Sequence, residues 1–83
     1  MKINRTVDRT IAMLEIISNH PNGLTLNEIS DAMQIPISSA FDILHTLIDN
    51  DMIQKLHPKS KIYVLGVKSF MIGSKYVSVR DIM

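Results

Sequence analysis

The stretch Thr25 to Leu47, TLNEISDAMQIPISSAFDILHTL, leaves this chain few folds to choose from. Thr25 and Glu28 stand in the S/T-x-x-E spacing of a capping box and open a helix. Leu26, Ile29 and Met33 then recur at helical spacing, one apolar stripe facing a core. Pro36 cannot continue that helix, because it has no N–H and biases Ile35 away from the α region. Its fixed φ does suit the first turn of a second helix. That helix turns Ala40, Leu44 and Leu47 inward with Ile43 and Ile48, and leaves Ser38, Ser39, Phe41, Asp42 and His45 outside. Two short helices around a tight turn are the plan of a helix-turn-helix.

The flanks extend the plan. Thr6 reads as the N-cap of a first helix ending near Asn19, with Val7, Ile11, Leu14 and Ile17, and their neighbours Met13 and Ile16, as a broad apolar face. His20-Pro21-Asn22-Gly23 ends it. Leu24 fits either a short strand or a hydrophobic staple before the Thr25 cap. Asp49-Asn50-Asp51 closes the second motif helix, where Asn or Asp can take the left-handed conformation. Met52 to Leu56 and Lys61 to Leu65 are β-prone runs around His57-Pro58-Lys59-Ser60, a hairpin signal. Three helices and a hairpin make a winged helix, mainly α with one small β-hairpin. After Gly66, the residues Val67, Phe70, Met71, Tyr76 and Val77 predict a last helix with a weak point at Gly73. It is too apolar for a tail and has little chain left to pack upon, so either a second copy covers it or the natural protein continues.

Eighty-three residues with 46% apolar content suit one small folded domain. No apolar run nears the roughly 18 residues of a membrane span, and MKINRTVDRT lacks a signal-peptide core. The absence of cysteine removes disulfides and thiolate metal sites. A cytoplasmic protein with no membrane partner is expected. Of the three histidines, His20 and His57 precede prolines in turns and no pair has metal-ligand spacing. With no glycine-rich phosphate loop and its acids scattered singly, the chain is read as no enzyme, with no metal and no cofactor.

The net charge of +1 conceals a segregation. Residues 1–9 carry +2, residues 10–54 carry six acids and no Lys or Arg, and residues 55–83 carry +5. Any polyanion is therefore held by the ends of the chain. On double-stranded DNA, the second motif helix enters the major groove N-terminus first. Around Pro36, the serines Ser38 and Ser39 then face phosphates or base edges. Ile37 or Phe41 suits a thymine methyl, and Asp42 suits a cytosine amine. His45 lies further along the same helix. The plainer alternative makes Ser38 and Ser39 ordinary helix caps. Lys55, His57, Lys59 and Lys61 form a basic wing for phosphates; the plainer alternative there is solubility and edge protection. Arg5 and Arg9 reach a phosphate or a minor groove from the N-terminal end, Arg9 from the helix itself.

The chain also resembles the DNA-binding domain of IclR-family transcriptional regulators. The resemblance rests on Thr6-Val7-Asp8-Arg9, Ile16 to Asn19, and Gly23-Leu24-Thr25-Leu26-x-Glu28-Ile29. It continues through Ile35-Pro36-x-Ser38-Ser39, Leu44-x-Thr46-Leu47 and Tyr63-x-Leu65-Gly66, in collinear order over roughly residues 5 to 73. It implies a repressor or activator that binds operator DNA as a homodimer. On that pattern residues 1–66 are the winged helix-turn-helix, and residues 67–83 a linker or dimerisation helix. The linker leads to a C-terminal domain, not present in this sequence, that takes a small-molecule effector. The departures lie on the reading helix and at two bends. Ile37 replaces a basic residue, Phe41 a histidine and Asp42 an arginine, while Gln34 and Asp51 stand where glycine is usual. The missing positive charge keeps a second expectation open, a winged-helix interaction or dimerisation module that no longer reads DNA.

Overall fold

The computed structural model describes residues 2–80. Helix α1 spans Arg5–Ser18 and is capped by Asn4, whose side-chain oxygen accepts from the Val7 N–H at 3.0 Å. The sequence points instead to Thr6 as this cap. Asparagine caps at least as well as threonine and stands one residue before the helix. Thr6 instead lies in the first turn, where its carbonyl accepts from the Thr10 hydroxyl at 2.7 Å. The inner face of α1 is also narrower than its apolar pattern suggests. Met13 and Ile17 are fully buried and Leu14 and Ile16 pack against them, whereas Val7 and Ile11 remain about half exposed.

The turn after α1 closes through the Gly23 N–H on the His20 carbonyl at 2.8 Å, with Gly23 at φ +85°. A Cβ there would strike the Ile62 side chain and the Tyr63 carbonyl, so only glycine fits. Strand β1 is Leu24–Thr25, which settles the role of Leu24. Helix α2 follows at Leu26–Met33, α3 at Ile37–Asp49, β2 at Ile53–Lys55, β3 at Ile62–Leu65 and α4 at Val67–Arg80. The wing is thus one side of a three-stranded antiparallel sheet, order β1-β3-β2, rather than an isolated hairpin. Leu24 pairs with Tyr63 across one edge of β3, and Lys55 pairs with the same Tyr63 across the other.

Met13, Ile17, Ile29, Leu44 and Ile53 form the centre of the core, one or more from each of α1, α2, α3 and β2. Burying each such side chain stabilises the fold by about 1.5–3 kcal/mol. Ala40, Ile43 and Leu47 complete the buried face of α3, with Ile48 partly covered. That face fixes which residues α3 turns outward.

Helix α4 runs without a break through Gly73, contrary to the weak point expected there. A Cβ at Gly73 would meet no neighbour within 4 Å, so the residue serves no close approach. None of the residues of α4 is buried. Among the described residues, the hydrogen bonds that tie the helix to the rest of the domain lie at its start. The Lys68 N–H reaches the Asp51 carbonyl at 3.0 Å and the Ser69 hydroxyl reaches the Met52 carbonyl at 2.8 Å. The last three residues of the expected 67–83 segment lie outside the described residues.

Candidate nucleic-acid interface

Both halves of the motif are held by local hydrogen bonds. The Thr25 hydroxyl accepts from the Glu28 N–H at 3.2 Å, and the Glu28 carboxylate accepts from the Thr25 N–H at 2.8 Å. The predicted capping box is complete. The Thr25 backbone N–H first, and the Thr25 hydroxyl second, favour the Glu28 carboxylate and hold it below its ordinary value of 4.5. At the other end of α2, Gln34 adopts the left-handed conformation at φ +55°. The hydroxyl of buried Ser30 donates to the Ile35 carbonyl at 2.7 Å, pinning the turn before Pro36. Serine has no periodic signature in a sequence, and nothing in the pattern marks Ser30 for this task.

Helix α3 begins at Ile37 with Pro36 at its N-cap, and no side chain caps it. Ser38 and Ser39 are therefore not the caps of the plainer alternative. Ser38 is exposed and Ser39 half-buried. Along the outer face, Ile37 is 49% and Phe41 48% exposed, and Asp42 is exposed beside them. His45 is half-buried, its ring 4.0 Å from that of Phe41, so it is less open than its place in the pattern suggests.

Two grooves connect this helix, which carries no Lys or Arg, to the two basic segments. On one side Thr6 and Arg9 of α1 share a groove with Ser39, Asp42 and Ile43 of α3. Arg5 and Arg9 also line a neighbouring hollow against Gln34 and Ile35 of the turn. Arg5 is the first residue of α1, not part of an extended arm, so it approaches from a rigid helix end. On the other side, Lys55, Lys59 and Lys61 of the wing face Phe41 of α3 and Asn27 of α2 across a cleft of about 610 Å³. Lys55 lies on β2, Lys61 directly precedes β3, and Lys59 sits in the turn between them. The Ser60 N–H closes that turn on the His57 carbonyl at 2.9 Å, with His57 and Lys59 both exposed. Buried Ser60 receives the Ile62 N–H on its hydroxyl at 2.9 Å. The sequence marks Thr6 only as a helix cap, and it does not mark Asn27 or Ser60 as groove residues. Small polar residues in loops and first turns carry no charge or period to reveal that they line a groove.

Among the described residues, no group of three or more His, Cys, Asp or Glu is placed to hold a metal ion. None of the described helices is long and apolar enough to cross a membrane. The arrangement offers a protruding helix with apolar, hydroxyl and carboxylate groups between two cationic borders.

Three helices, the small sheet and the outward second motif helix define a winged helix-turn-helix domain. The family model of the IclR helix-turn-helix domain matches residues 6–57, more than half of the chain, and the chain belongs to that family of DNA-binding domains of transcriptional regulators. Solved structures agree in fold. An IclR transcriptional regulator from Alicyclobacillus acidocaldarius superposes with a TM-score of 0.85 at 23% identity, over 94% of this chain and 31% of that one. Pseudomonas aeruginosa HmgR gives 0.83 at 17% identity, over 94% and 33%. Thermotoga maritima IclR gives 0.75 at 24% identity, over 89% and 29%. The chain thus spans about a third of the length of these solved relatives. No curated protein matches its sequence.

Proposed function

We propose that this domain binds operator DNA as a homodimer, as part of an effector-responsive regulator. The observation that carries the reading is the pair of grooves that join α3 to Arg9 on one side and to Lys55, Lys59 and Lys61 on the other. A helix seated in the major groove has a phosphate backbone on each side of it. Cations on both borders and none on the helix suit that geometry. Arg5, Arg9 and the wing lysines supply charge-driven affinity, and Pro36, Ile37, Ser38, Ser39, Phe41, Asp42 and His45 form the reading segment. Two copies joined through α4 would space their reading helices by about 34 Å, one turn of the duplex, or a multiple of it. A small molecule bound in a C-terminal domain would alter that spacing, and the compartment is the cytoplasm.

The test is binding to random-sequence duplex DNA at low salt, followed by a salt titration. Association with a steep linear fall of log affinity against log salt is expected. The second reading, an interaction module that has lost DNA reading, draws on exposed Asp42 and on the uncovered α4. No association with duplex DNA, with self-association intact, would favour it.

A further inference from the structure

We infer that α3 reads the C5-methyl groups of pyrimidines, in place of the guanine edges that an arginine or lysine would read. The inference rests on the DNA-binding reading above and specifies what it recognises. The commonest base contact in the major groove is an Arg or Lys on guanine O6 and N7. That contact is closed to this helix, because residues 10–54 contain neither. Its outer face instead presents Ile37 and Phe41, one helical turn apart.

Both are about half exposed, while Ile43, Leu44 and Leu47 of the same helix are buried. An apolar pair on the protruding face of a recognition helix gains free energy only when something apolar covers it. On duplex DNA the apolar group of the major groove is the pyrimidine C5-methyl. Phe41 is also prepared for such a contact. Its ring rests 4.0 Å from the His45 ring, and it shares the wing cleft with Lys55, Lys59 and Lys61. Those lysines would hold phosphates while the ring meets the base edge.

Asp42 sharpens the choice. An ionised carboxylate only accepts hydrogen bonds, so beside Phe41 it suits the N4 amine of cytosine and opposes the O4 of thymine. Thymine and 5-methylcytosine both carry the methyl, but only 5-methylcytosine carries amine and methyl on adjacent ring carbons.

The experiment begins with selection of duplexes from a random library by the whole 83-residue chain. The best duplex is resynthesised with deoxyuridine for thymidine in one arm and with 5-methylcytosine for cytosine in the other. Loss of about four-fold in affinity per contacted methyl is expected in the first arm, at an unchanged salt slope. A gain in the second arm assigns 5-methylcytosine as a source, and a change confined to the first assigns thymine. The variant combining Ile37→Ala and Phe41→Ala should bind the selected duplex and its deoxyuridine counterpart with equal affinity, losing the methyl dependence. Affinity unmoved in both arms, methyl dependence surviving in the double variant, or a pool with no enrichment would each overturn the inference while DNA binding stands. No association with any duplex would overturn the DNA reading and this inference together.

Discussion

The ring of Phe41 lies 4.0 Å, centroid to centroid, from the ring of His45 and is tilted by 40° to it. The two residues stand one turn apart on α3, so the helix itself brings them together. Aromatic pairs contribute about 0.5–1.5 kcal/mol beyond the area they bury, and a half-exposed pair belongs at the lower end. A double-mutant cycle on Phe41→Ala and His45→Ala, read by urea unfolding, should give a coupling of about 0.5 kcal/mol. Additive single effects would show that the ring pair orders neither residue.

The wing lysines make a separate prediction, about charge rather than shape. Replacing Lys59 and Lys61 by Ala should weaken binding to every duplex alike. It should also reduce the salt slope by about one unit for each phosphate that is no longer neutralised. Lys68→Ala with Lys75→Ala on α4, removing the same two charges away from the wing, serves as the control. A slope unchanged in the wing variant would remove the wing from the interface.

Helix α4 has the most to gain from a partner. A helix of 14 residues with no buried side chain is marginal in water by itself. Phe70 is 72% exposed, and Met71, Ile72 and Tyr76 are about half exposed, too much apolar surface for an unattended helix. The Arg80 guanidinium lies 5.4 Å from the centre of the Tyr76 ring. Sedimentation of the wild type should show concentration-dependent dimers. Phe70→Asp with Tyr76→Asp should return monomers whose winged domain keeps its urea midpoint. Monomeric wild type across the micromolar range would reject α4 as a joint between copies.

Gln34 at φ +55° and Asp51 at φ +60° are the two described non-glycine residues in the left-handed region. That conformation brings Cβ close to the following carbonyl, a cost glycine avoids. Gln34→Gly should raise stability by about 0.5–1 kcal/mol, and Asp51→Gly by less, since Asp tolerates the region better. Gln34→Ala should bring no gain. Thermal unfolding of the three variants at fixed concentration decides this.

Those two bends were legible in the sequence, and the reason is instructive. Asp49-Asn50-Asp51 reads as a helix stop where Asn or Asp can turn left-handed, and Gln34, like Asp51, stands where the family resemblance makes glycine usual. The capping box, the inward Ala40, Leu44 and Leu47, and the wing strands were legible too, because spacing and β-branched runs encode them. The first cap was not. Asn4 and Thr6 are both competent caps, and the choice depends on where the core lets α1 begin. The exposure of Val7 and Ile11 was hidden for a related reason: periodicity shows that a face is apolar, not what covers it. Part of the candidate site was visible as charge on Arg9, Lys55, Lys59 and Lys61. The grooves that join those cations to α3 arise from tertiary packing, so Thr6 and Asn27 gave no sign of their place.

The capping box carries a dependence on pH whose sign follows from its bonds. Glu28 titrates below its ordinary value of 4.5 in the folded chain because the Thr25 N–H and hydroxyl favour its carboxylate. On acidification the unfolded chain therefore takes up this proton before the folded one, and stability rises with pH across that interval. The contribution is complete above about 4.5 and fades as pH falls through the lowered folded value. Glu28→Gln keeps a capping-box acceptor without the titrating charge. Urea midpoints from pH 7 down to pH 3 should show wild type losing stability relative to this variant on the acid side. Thr25→Ala should lose about 1 kcal/mol at neutral pH, because the Glu28 N–H then has no side-chain partner. A constant gap between wild type and Glu28→Gln across the whole range would mean that the carboxylate adds nothing to the cap beyond its hydrogen-bond acceptor.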